Sequence, residues 1–283
     1  MQSLLDLLHV GMRWSHIAAG FIGLLLFWIP VCTKKGSKLH ILTGRVFLWL
    51  ATFVSVTALV ASGWGIVWPR SFLSWRVADM PTDRREAVLE ARVDDVRFLM
   101  LILFFLAIAV LAGVVFGRSA VRTKLDHARL RSPLLLGLEL AMGAAGLMLI
   151  GFGAKELWAS GGAEQKYWIH IVLGGLGIFG AWSDLNYLLG PQPEERMSWL
   201  YKHVESMIGV GIGFHTAFAV FGFSRLLNYV EWELNGIWLL IPWVVPSIVG
   251  VPAAAIWIHR LRQQASTTPE TGSPQEGEAF PSP

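Results

Sequence analysis

Seven stretches of the chain, at about residues 12–32, 41–63, 97–117, 133–153, 167–189, 203–225 and 237–258, are long, apolar and almost free of charge. A hydrocarbon core about 30 Å thick needs roughly 20 such residues per helix. It also forces every backbone N–H and C=O to find its partner within the segment. The sequence therefore predicts an all-α, multi-pass transmembrane helix bundle of about seven spans. The composition fits a lipid solvent: 15% of residues are charged and the mean hydropathy is +0.53, whereas soluble domains carry about 25% charged residues. Seven spans with short loops nearly fill 283 residues, so one transmembrane domain is expected over 1–262.

Orientation follows from where lysine and arginine fall. One side holds the turn Lys34-Lys35-Gly36-Ser37-Lys38 with Arg45, then Arg118, Arg122, Lys124, Arg129 and Arg131, then Arg196 and Lys202, then Arg260 and Arg262. That is over half of the 23 basic residues. The long loop on the other side, 64–95, sets five arginines against six acids. By the positive-inside rule the N-terminus lies outside and the C-terminus in the cytoplasm. The net charge of +3 then belongs to cytoplasmic loops, and no nucleic-acid partner is expected. Met1 to Val10 lack the charged start and cleavage site of a signal peptide, so the first helix is expected to be kept. A single cysteine, Cys32, excludes an intrachain disulfide and cysteine-based zinc or iron–sulfur sites.

The outer loop should have structure of its own. From Pro81-Thr82 onward, Val88, Leu89, Ala91, Val93 and Val96 recur at helical spacing, with Thr82 as N-cap, so span three should extend outward as an amphipathic helix. Trp64, Trp68 and Trp75 suit an interfacial aromatic belt. Pro242, Pro246 and Pro252 predict a kinked last span. Residues 263–283, rich in Ser, Thr, Pro, Gly and Glu, read as a disordered cytoplasmic tail.

Ionisable groups within spans are costly and mark function. At 1.5 Å per residue, His16, His170 and His215 fall toward the outside, and His40, His203, Asp184 and Glu139 toward the cytoplasm. Two tiers of histidine are what a bundle needs to hold b-type haem and pass electrons across a bilayer. In that reading His40 and His203 are the inner iron ligands, with His16 and His170 or His215 the outer ones. Asp184 and Glu139 then orient imidazoles or relay protons, and a quinone or redox protein is the partner. Glycines of spans five and six, including Gly174, Gly175, Gly177, Gly209, Gly211 and Gly213, would let a flat macrocycle approach, or would simply let helices pack closely. The alternative is a carrier or small-ligand-binding protein without redox activity, its cavity lined by the same polar residues. A third option is a metal-dependent hydrolase at the inner tier, although no HExxH or HxxxH pair supports it. A plainer reading leaves the histidines as boundary residues meeting water or headgroups.

The stretch His16-Ile17-Ala18-Ala19-Gly20, followed by Lys35-Gly36-Ser37-Lys38-Leu39-His40 and Gly44-Arg45-Val46, resembles the opening hairpin of a bacterial family of predicted membrane proteins, domain of unknown function 2306. Asp184-Leu185, Trp199, His203, Met207 and Thr216-Ala217-Phe218 look like that family's positions in the second half. The resemblance covers about 14–60 and 180–222. It implies a multi-pass protein of the bacterial inner membrane with no established activity. His16, His40, Asp184 and His203 match its pattern; His170 and His215 do not.

Overall fold

A computed structural model of the chain describes residues 2–74, 77, 80–124, 126–223 and 241–267. Its helices are α1 (Gln2–Cys32), α2 (Lys38–Val67), α3 (Pro69–Leu73), α4 (Thr82–Thr123), α5 (His127–Leu130), α6 (Pro133–Ala159), α7 (Trp168–Leu189), α8 (Ser198–Ala217) and α9 (Ile241–Thr267). Among the described residues there is no strand. Seven of these helices, α1, α2, α4, α6, α7, α8 and α9, are long and apolar enough to cross a membrane. The chain is an all-α integral membrane protein, and the seven spans among the described residues, an odd number, put the start of α1 and the end of α9 on opposite faces.

Local chemistry sets most of the boundaries. Gly36 adopts φ of 77° between α1 and α2, a conformation that L side chains avoid. Ser37 then caps α2 by accepting the backbone N–H of His40. Ser132 caps α6 in the same way, with Pro133 in the first turn, where its missing N–H costs nothing. The expected cap at Thr82 is displaced by one residue. Pro81 occupies the cap position without a side-chain hydrogen bond, and Thr82 is already helical.

The outward extension of span three is present, since α4 runs for 42 residues. Its outer end closes a small apolar cap in which Phe72, Leu73, Val77, Leu89, Val96 and Met100 are buried and Trp64 packs alongside. Trp64 is thus part of this cap, edge-on to Phe72 at 5.8 Å, while Trp68 is 63% exposed as an interfacial belt residue would be. Trp75 lies outside the described residues. The last span ends later than the sequence suggests, and α9 runs without interruption through Pro246 and Pro252, while 237–240 lie outside the described residues. It also takes in the first residues of the expected tail, up to Thr267; 268–283 lie outside the described residues.

Helix α4 is the axis of the bundle. It packs on α2, α6 and α8, while α1 pairs with α2, α7 with α6, and α9 with α8. Residues of α4 enter all four apolar clusters, from Leu89 at the outer cap to Phe116 at the cytoplasmic floor. The outward-facing side chains are large and apolar, with Trp49 70% and Phe179 65% exposed, a surface suited to acyl chains and not to water. Helices α7 and α8 are consecutive in the chain yet touch little, because α7 leans on α6.

Candidate functional site

The seam between α7 and α8 is where the polar chemistry gathers. Along α8, Lys202, Ser206, Val210 and Gly213 repeat at helical spacing and are all buried, so the second turn carries a lysine on the face that enters the bundle. Lys202 is 4% exposed. Its ammonium forms an ion pair with Asp184 of α7 and a second, at 3.0 Å, with the half-exposed Glu205. The rings of Phe116 and Tyr187 lie 5.1 and 5.6 Å from the ammonium and complete its shell through their π faces. A lysine withdrawn from water in this way needs such partners, since an uncompensated buried charge costs several kcal/mol.

Asp184, expected to orient an imidazole, instead pairs with Lys202. The position of α7 is fixed from below by Arg131. That side chain donates to Leu188 O at 2.7 Å and to Gly190 O at 2.8 Å, binding the end of α7 to the start of α6.

Glu139, on α6, is 0% exposed. Asp184 and Lys202 are its electrostatic neighbours. Neither of its carboxyl oxygens has a hydrogen-bond partner among the described residues. On the cytoplasmic side of the same cluster, the His127 ring stands edge-on to Tyr187 at 5.2 Å, with a buried Nε2 that also has no partner. Sequence reasoning found Asp184 and Glu139 and missed His127; it counted Lys202 only as a cytoplasmic boundary charge.

A second feature lies nearby. His40 Nδ1 is 3.1 Å from Pro30 O, and His203 Nδ1 is 2.9 Å from Gly117 O. A carbonyl can only accept, so each Nδ1 carries the hydrogen and each Nε2 keeps its lone pair. That is the orientation in which a histidine ligates a metal. Lys35 and His40 are electrostatic neighbours of His203. Among the described residues, however, no three His, Cys, Asp or Glu side chains converge to hold a metal ion. The hydrolase reading therefore gains no ligand set.

The remaining histidines are spread over separate seams. His16 Nδ1 is 2.8 Å from Thr57 Oγ1. Thr57 spends its own hydrogen on Phe53 O, so it accepts from the imidazole. His170 is fully buried among Phe98, Phe152 and Tyr167, with Nε2 donating to Phe98 O at 3.1 Å and Nδ1 unpartnered. His215 has both nitrogens engaged. Nδ1 donates to Gly211 O of its own helix at 2.7 Å, and Nε2 accepts from Trp28 at 3.2 Å. Trp28 and His16 are three turns apart along α1, so His16 and His215 face different neighbours. The glycines serve helix packing where they are enclosed. A methyl on Gly174 would come within 2.5 Å of Gly146 O, and the face of Gly211 is filled by Phe27.

No protein-family model matches the chain, and no curated protein or solved structure proved similar to it.

Proposed function

We propose that this protein is a proton-coupled carrier of a small solute, with Glu139 as the group that takes up and releases the proton. The observation that carries the reading is Glu139 itself, enclosed in a span with neither carboxyl oxygen partnered and a buried ion pair beside it. An ionised carboxylate left so would cost far more than the neutral acid, so the site favours the protonated form. Intramembrane carboxylates of this kind belong to proton relays and ion-coupled pathways.

The neighbours supply the coupling. Lys202 bridges two helices whose backbones touch little, so the strength of its attachment to Asp184 governs how firmly α7 and α8 close on the cytoplasmic side. Loss of the Glu139 proton places a third negative charge near the lysine, beside Asp184 and Glu205, and draws its attraction away from Asp184. Reprotonation leaves the lysine to Asp184 and Glu205 alone. Membership of the bacterial family, domain of unknown function 2306, and a place in the bacterial inner membrane belong to the same proposal; the family's aspartate position is here the one that holds Lys202.

A pH jump tests this without knowledge of the solute. Proteoliposomes adsorbed on a solid-supported electrode should give a transient current when the pH steps, at least about tenfold smaller in Glu139→Gln, since a site without a proton moves no charge. Equal currents in the two proteins would sink the proposal.

A second reading rests on His40 and His203, whose free Nε2 atoms suit b-type haem and quinone-linked electron transfer. Protein purified from haem-replete cells should then be red, with a Soret band lost in His203→Ala. A colourless preparation removes this reading and leaves the carrier standing.

A further inference from the structure

The α1–α2 turn and the cytoplasmic end of α9 meet in a way that the proton reading does not use. Lys35 folds back to close the end of α1, donating to Pro30 O at 2.7 Å and Val31 O at 2.6 Å. Its ammonium lies 4.5 Å from the ring centre of Trp257 on α9. Against that Trp is a cleft of about 430 Å³ lined by Ala253, Ile256, Trp257 and Arg260. The lining changes along the helix axis, with Ala253 and Ile256 apolar and deeper, Trp257 at the boundary, and Arg260 outermost.

The charge is one-sided. Lys34, Lys35, Lys38 and Arg45 share residues 33–45 with no acid at all. Arg260 makes no ion pair among the described residues, while Arg262, two positions on, is held by Glu195 at 3.3 Å. Partial burial draws the Lys35 ammonium below the usual lysine range, partly offset by the neighbouring Cys32, and an anionic group placed beside it would favour its charged form.

The geometry points to a binding site for an anionic phospholipid of the cytoplasmic leaflet, with the headgroup phosphate between Lys35 and Arg260 and an acyl chain over Ala253 and Ile256. The order of apolar slot, interfacial tryptophan and cations matches the order of acyl chain, boundary and phosphate in a leaflet. A free phosphate would satisfy the cations and leave the apolar half of the cleft without purpose. The lipid would tie the first hairpin to the last span at the face where His40 and His203 lie.

Native mass spectrometry from detergent containing equal phosphatidylglycerol and phosphatidylcholine reads the site directly. The wild type should retain phosphatidylglycerol about twentyfold over phosphatidylcholine, and Arg260→Gln or Lys35→Gln should each reduce that preference about fivefold. Lys155→Gln, at an exposed lysine near the other end of α6, should leave it unchanged. Should Lys35→Gln fail to fold, Arg260→Gln at its exposed position decides alone. Equal retention of the two lipids, an unaltered preference in Arg260→Gln, or displacement of the lipid by millimolar inorganic phosphate would overturn the assignment.

Discussion

The two ends of the bundle are held together by different physics. Toward the outside, α6 and α7 are joined by backbone approach at Gly146 and Gly174 and by rings packed around His170. Toward the cytoplasm, the seam between α7 and α8 is crossed by one lysine and its carboxylates. Close packing without charge gives a contact that pH does not change, because nothing in it titrates at modest cost. A buried ion pair with a lone acid beside it is a contact that one proton can strengthen or weaken. The outer half thus reads as the fixed part of the structure and the inner half as the responsive part.

The largest expected effect tests the inner seam. Lys202→Met leaves Asp184 facing apolar surroundings and should cost about 3–5 kcal/mol, read as thermal unfolding in detergent. Adding Asp184→Leu should recover most of that loss, since a buried pair replaced whole by apolar residues is close to neutral. A single variant as stable as wild type would remove the distinction between the two ends.

The outer half should respond to shape instead. Gly174→Ala places a methyl against the Gly146 carbonyl, which belongs to backbone and yields little. A loss of about 1–3 kcal/mol follows from overpacking. Gly175→Ala meets nothing within 4 Å and should stay within about 0.5 kcal/mol of wild type. Equal losses at the two glycines would show that the helix contact is not what matters there.

A small effect is also expected at His16. Replacing it with Ala removes one hydrogen bond to Thr57 on a half-buried ring, so a change of about 1 kcal/mol or less is predicted, with the pH-jump current kept. Loss of that current in His16→Ala would extend the responsive region to the outer half.

Much of this was legible in the sequence because the bilayer leaves so few choices. Seven apolar runs almost free of charge had to be seven helices, and the charges at Glu139 and Asp184 stood out as expensive. What the sequence concealed was partnership. Asp184 and Lys202 lie on helices joined by a loop, but Glu139 comes from a third, and no local pattern says that the three converge. A signal for Lys202 did exist in its place on the stripe with Ser206, Val210 and Gly213, which marks the buried face of α8. Reading it only as a positive-inside residue hid that. His215 shows the opposite case: its place within a span suggested a ligand, while both nitrogens are occupied by Gly211 and Trp28.

The proton on Glu139 is the point on which the account turns, and infrared spectroscopy measures it directly. The wild type near neutral pH should show the C=O stretch of a protonated carboxyl in an apolar setting, absent in Glu139→Gln and retained in Asp184→Asn. Identical carboxyl bands in wild type and Glu139→Gln would contradict the account.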